Sequence, residues 1–115
     1  MKRALVAWMT PLLLAGTVHA AAGDVADAMA KIPAARIEIR NFAFAPNTLT
    51  VKAGTRITWI NRDDEPHVVV SAGKQFDTSP ALDTGDSYAA VLSKPGTYAY
   101  YCAIHPMMVG TIIVQ

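Results

Sequence analysis

The chain has 115 residues, a formal net charge of +1, one cysteine, three histidines and five methionines, and 52% of it is apolar. That length makes one domain, and the single cysteine excludes an internal disulfide framework. Near-balanced charge without a Lys/Arg stripe speaks against nucleic-acid binding as a main role, and the apolar content speaks against disorder.

The first twenty residues read as an address. Lys2 and Arg3 precede an apolar run from Ala4 to Val18, and Val18-His19-Ala20 offers a small-residue cleavage site. This is the three-part pattern of a secretory signal peptide over 1–20, too short and too interrupted for a membrane span. A cut after Ala21 or Ala22 fits almost as well. No membrane span is expected once it is removed. Without the first 20 residues, 95 remain, with 8 basic against 9 acidic side chains, two histidines (His67, His105) and one cysteine (Cys102). Outside the cytoplasm a free exposed thiol is oxidised, so Cys102 must be buried or bound.

Residues 21–35 form an Ala-rich segment, with Asp24 as an N-cap and Val25, Met29 and Ile32 at helical spacing before Pro33. A loose leader lying on the domain fits this stretch equally well. The domain itself is expected over 36–115. From Arg36 the apolar period becomes two: Ile37 and Ile39, then Leu49 and Val51, then Ile57 and Trp59. His67–Ser71 and Ser87–Leu92 read as further strands. Pro95-Gly96 makes a turn, Thr97–Cys102 puts Tyr98, Tyr100 and Cys102 on one face, and Gly110–Val114 closes the chain. Ala72–Asp86 has little periodicity and reads as a long connection. Seven to eight short strands with no crossover helix predict an all-β fold, a Greek-key antiparallel β-sandwich.

The chemistry is concentrated in Cys102-Ala103-Ile104-His105-Pro106-Met107-Met108. A Cys-x2-His-x2-Met loop between two strands can fold three side chains around one point. The other histidine of the domain, His67, follows Pro66, which stiffens its loop. Each of these residues taken singly is ordinary packing or a solvated side chain. Together, a thiolate, two imidazoles and a thioether suit one copper ion, in the His2Cys arrangement with a weak axial Met. Zinc has little use for a thioether, and magnesium or calcium would want oxygen donors. Met107 and Met108 compete for the axial place. Met108 has the spacing that lets the chain pass over the metal and return, and it is the preferred candidate.

At Thr58-Trp59-Ile60-Asn61-Arg62 leading to Pro66-His67, at Pro95-Gly96-Thr97-Tyr98-x-Tyr100-x-Cys102, and at Cys102-x2-His105-Pro106-x-Met108, the chain resembles the cupredoxin family. Within it the amicyanin group is most similar, with pseudoazurin and plastocyanin more distant. The resemblance covers 36–115. It implies a type 1 (blue) copper protein of the periplasm that carries single electrons between redox partners, with His67, Cys102, His105 and Met108 as copper ligands. Two departures stand out. Val68 replaces an Asn that in many members ties the ligand loops together, which implies a differently tuned site. Ile104 replaces a Pro, which frees a backbone N–H for a ligand atom.

The expected function is therefore a soluble one-electron carrier cycling Cu(II) and Cu(I). The alternative is a copper-binding or delivery protein for homeostasis or resistance. Catalysis is not expected, because a type 1 centre has no open position and there is no further His cluster. The expected electron port is the His105 edge, with Pro106, Met107 and Ile104 as an apolar patch against a periplasmic dehydrogenase or a c-type cytochrome. A monomer is expected. The run Asp63-Asp64-Glu65 reads as a solvated turn or, alternatively, as a patch that steers a basic partner.

Overall fold

The computed structural model describes residues 11, 12, 16 and 32–115. The expected signal peptide, those three positions excepted, and the expected Ala-rich segment as far as residue 31 lie outside the described residues. Eight strands follow in chain order: β1 (Ala34–Arg40), β2 (Ala43–Ala45), β3 (Thr48–Val51), β4 (Thr55–Asn61), β5 (Val69–Ser71), β6 (Ser87–Leu92), β7 (Gly96–Cys102) and β8 (Val109–Val114). They form two four-stranded sheets, ordered β2-β1-β4-β6 and β3-β8-β7-β5.

The period-two pattern determines which side chains face inward. Ile37 and Ile39 of β1, Ile57, Trp59 and Asn61 of β4, Tyr98, Tyr100 and Cys102 of β7, and Ile112 and Val114 of β8 are buried between the sheets. Each of the large apolar members contributes about 1.5–3 kcal/mol by leaving water. Trp59 sits at the centre, with the rings of Phe76, Tyr88 and Tyr100 within 5.4–5.8 Å of its own. The Trp59 Nε1 and the Tyr100 hydroxyl have no hydrogen-bond partner. Burial pushes the Tyr100 phenol up to about 12; the nearby Trp59 indole, not aligned as a hydrogen bond, pulls weakly the other way.

Gly110 stands opposite Tyr100 in the β7–β8 ladder, and a Cβ there would lie 2.2 Å from the tyrosine ring. A glycine is what lets that ring lie flat over the neighbouring strand.

The sandwich is as expected, but its sheets are mixed. β1 runs parallel to β4, and β3 runs parallel to β8, while the remaining pairs are antiparallel. Parallel neighbours need a crossover, and here the chain crosses from one sheet to the other between them. Alternation of side chains is the same in parallel and antiparallel strands, so the sequence does not distinguish them. The three-residue β2 is an addition to the expected strands. It pairs with β1 through the two-residue turn Asn41-Phe42, in which both residues have positive φ (52° and 57°) as a type I′ hairpin requires. The Ala72–Asp86 connection carries no strand. It does form one isolated bridge, His67 to Leu82.

Candidate metal centre

Three chain segments meet at one end of the sandwich: the end of β7 with the loop into β8, the loop between β4 and β5, and the β1–β2 turn. Cys102 is the last residue of β7 and is fully buried. Its N–H donates to the Met108 carbonyl at 3.1 Å, and the Met108 N–H donates to the His105 carbonyl at 2.9 Å. The ligand loop is thus closed by main-chain bonds within itself. Its partner segment is tied on by the Ala103 N–H, which donates to the Val68 carbonyl at 3.1 Å.

His67 is held from both sides of its backbone. Its N–H donates to Leu82 O at 3.1 Å, and its carbonyl accepts from Leu82 N–H at 2.8 Å. Two residues on, the Val69 N–H donates to the Ser79 hydroxyl at 2.8 Å. The His67 ring is wholly buried. Its Nδ1 lies 3.7 Å from Cys102 Sγ, and the Nδ1 of half-buried His105 lies 3.9 Å from the same sulfur. One donor atom from each of His67, Cys102 and His105 lies within 4.8 Å of the others. Three of the four candidate ligands therefore converge through two imidazole nitrogens and a sulfur. Met108 is buried at 4% exposure, whereas Met107 is exposed at 93%. Of the two thioethers, only Met108 faces the interior.

The departure at Val68 has a main-chain consequence. The Val68 N–H donates to Cys102 Sγ at 3.4 Å, so the sulfur keeps a donor from that residue although its side chain cannot supply one. Among the described residues, the Ile104 N–H donates to no ligand atom.

Asp63, expected in a solvated turn or a steering patch, is largely enclosed instead. It does not lie in a freely solvated turn. Its side chain is 12% exposed. Oδ1 accepts from the Asn41 N–H at 2.6 Å; Oδ2 accepts from the Phe42 N–H at 2.9 Å and faces His67 Nε2 at 2.9 Å. Burial works to raise the carboxyl, but the N–H groups of Phe42 and Asn41 and the His67 ring outweigh it and hold Asp63 below the usual carboxylate range. An ionised carboxylate only accepts, so His67 donates to it through Nε2–H, and Nδ1 is the ring nitrogen that faces the sulfur.

The loop around Asp63 is braced by Asn61, whose buried amide donates to Glu65 O and Leu82 O at 2.8 Å each and accepts from the Asp63 N–H at 2.9 Å. The Thr84 hydroxyl donates to Asp63 O at 2.6 Å. The spacing Asn61-x-Asp63 is an Asx-turn signal that could have marked this loop as ordered. Phe42, also unmarked by the sequence reading, sets its ring edge-on to both imidazoles, 5.6 Å from His67 and 5.0 Å from His105.

The donors fit copper. A buried thiol, two imidazoles and an inward thioether form a soft and intermediate set, and the site offers no carboxylate oxygen to a harder ion, since Asp63 is spent on hydrogen bonds.

Comparison with known proteins agrees with this chemistry. A family profile described as a cupredoxin-like domain matches residues 4–114. Amicyanin-alpha of Methylorubrum extorquens is 31% identical over 116 residues, covering 96% of this chain and 98% of the relative. Amicyanin of Paracoccus denitrificans is 32% identical over 99 residues, covering 83% and 72%. Among solved structures, a purple cupredoxin from Nitrosopumilus maritimus superposes with a TM-score of 0.67 at 34% identity, covering 70% of this chain and 99% of that one. An amicyanin variant in its Cu(I) form superposes with a TM-score of 0.68 at 30% identity, covering 71% and 82%. With the sandwich, the ligand loop and these matches in agreement, the chain belongs to the cupredoxin-like family, which is built around one copper ion.

Proposed function

We propose that this protein is a periplasmic, soluble one-electron carrier whose copper is held by His67, Cys102, His105 and Met108. The observation that carries the reading is the convergence of the His67, Cys102 and His105 donor atoms within 4.8 Å at a largely buried end of the sandwich. When bound, copper supplies the Cu(II)/Cu(I) couple. The chain supplies rigidity: sheet and main-chain bonds fix Cys102 and His67, so the donors move little when the charge changes. Burial of Cys102, His67 and Met108 excludes water from three sides, which favours retention of the ion over its delivery to another protein.

His105 is the half-buried member and forms the electron port. Exposed Phe42, whose ring lies 5.0 Å from His105, and the exposed loop neighbours Ile104 and Met107 form an apolar patch suited to brief encounters with redox proteins, such as a periplasmic dehydrogenase or a c-type cytochrome. Asp64 and Glu65 remain exposed next to Phe42 and would steer a basic partner; Asp63 does not join them. No separate catalytic role is assigned, because the candidate ligands leave neither a second His cluster nor an uncommitted imidazole among the described residues. Among those residues, no helix is long and apolar enough to cross a membrane.

The test is the visible spectrum of the protein lacking residues 1–20, loaded with Cu(II). An intense thiolate-to-copper band is expected, and Cys102→Ser should abolish it. A colourless or weakly absorbing complex would overturn the reading.

A further inference from the structure

We propose that Asp63 is a positioning residue of the electron-transfer centre: one carboxylate pins the His67 ring through Nε2–H and clamps the Asn41-Phe42 turn whose ring lies on both imidazoles. The inference rests on the copper-carrier reading above and concerns how this chain tunes it.

The geometry is specific. Three donors converge on the two oxygens of Asp63, two from consecutive backbone N–H groups at 2.6 and 2.9 Å and one from the His67 ring at 2.9 Å. The turn that supplies the first two is unusual in sequence. Type I′ turns favour Asn-Gly because both central residues take positive φ, yet the second position here is Phe42 at φ 57°. A non-glycine residue there costs on the order of 1–2 kcal/mol, so something must hold the backbone in place. The carboxylate does so by accepting both turn N–H groups. The outcome is that Phe42 is delivered edge-on to His67 and His105.

The same oxygen that accepts from Phe42 also faces His67 Nε2. With its proton held on Nε2, the ring can present only Nδ1 to the cysteine sulfur, at the orientation the carboxylate dictates. A carboxylate partner also makes an imidazole a stronger donor and places negative charge one ring away from the metal position. Both effects favour the more highly charged Cu(II) over Cu(I). Among the described residues His105 has no carboxylate partner: its Nδ1 faces the same sulfur, and its ring packs against those of Phe42 and His67. The two imidazoles are therefore unequal donors, and Asp63 makes them so.

Two variants and one control test this. Asp63→Asn keeps the shape and removes the charge. Asp63→Ala removes the acceptor. Tyr98→Phe deletes the hydrogen bond from the Tyr98 hydroxyl to Lys94 O at the opposite end of the sandwich and serves as a control for general loss of stability. In the copper-loaded protein, Asp63→Asn should shift the ratio of Cu(II) to Cu(I) binding about tenfold toward Cu(I), which is 59 mV upward for one electron. Tyr98→Phe should lower the melting temperature without moving the potential.

The second readout needs no copper. In the metal-free protein, nitrogen NMR of His67 should report a single tautomer with the proton on Nε2, and Asp63→Ala should give a mixture. Should Asp63→Ala fail to fold, the Asp63→Asn potential decides. A potential in Asp63→Asn no different from that of Tyr98→Phe would overturn the proposal, as would an unchanged single tautomer in Asp63→Ala. A wild-type protein without the thiolate band would instead sink the carrier reading, and the tautomer measurement would still judge Asp63.

Discussion

His67 and His105 stand at almost the same distance from the Cys102 sulfur, 3.7 and 3.9 Å, yet they are held in opposite ways. His67 is fully buried, bridged through its backbone to Leu82 and through its ring to Asp63. His105 is half-buried, lies in a loop closed by its own main chain, and has exposed Ile104, Pro106 and Met107 as neighbours. One imidazole belongs to the core and the other to the surface. An electron carrier needs both: a donor that does not move, and a donor that a partner can reach.

The largest way to break this contrast is to delete each ring in turn. In the metal-free protein, His67→Ala leaves a cavity and takes away one of the two donors to Asp63 Oδ2 and should cost about 3 kcal/mol, whereas His105→Ala should cost less than about 1 kcal/mol. Denaturant unfolding of the two variants checks this, and equal losses would mean that the burial difference has no energetic content. Added imidazole should restore the thiolate band of copper-loaded His105→Ala, because its place opens to solvent, and should fail with His67→Ala.

A second prediction concerns the core side alone. The folded-state pKa of Tyr100, about 12, lies above its unfolded value of 10.0. A raised acid pKa stabilises the fold fully below the unfolded value and loses that contribution as pH rises through the folded one. Stability should therefore fall by roughly 2–3 kcal/mol between pH 10 and 12. Tyr100→Phe, which removes a hydroxyl without a partner, should be near neutral at pH 7 and should flatten that alkaline limb. Unfolding free energies of both proteins from pH 8 to 12 decide it, and parallel curves would remove Tyr100 as the source.

The smallest effect belongs to the boundary between the two regions. Phe42→Gly relieves a positive φ but loses edge-to-face contacts with both imidazoles, each worth about 0.5–1.5 kcal/mol. The two effects nearly cancel, so the melting temperature should stay within a few degrees. Electron exchange with a small redox partner should change more than stability does, and a stopped-flow rate equal to wild type would show that the ring is only a cover.

The same division explains what could be read from sequence. Inward residues such as Ile37, Ile57, Trp59, Tyr100 and Ile112 follow a period of two, which survives any arrangement of neighbouring strands. The thiol and imidazole spacing likewise reports chemistry directly, and the structure brings the His67, Cys102 and His105 donors together with Met108 inward. Strand direction was not legible, since alternation is blind to whether β1 meets β4 parallel or antiparallel. Asp63 was missed because it sits in an acidic run whose other two members are exposed. What distinguishes it is a contact with a turn 21 residues earlier, and no local pattern encodes that. β2 was missed for a related reason: Asn41-Phe42 lacks the glycine that usually advertises such a turn.

The closure of the ligand loop by main-chain bonds has a consequence for how this protein can change. The bonds from Cys102 N–H to Met108 O and from Met108 N–H to His105 O use no side chain. Ala103, Ile104, Pro106 and Met107 all point outward between the candidate ligands. Those four side chains can be exchanged without altering the frame that holds the donors. The proposed docking face is thus separable from the donor frame beneath it, and a new redox acquaintance could be acquired by surface substitution while that frame stays as it is.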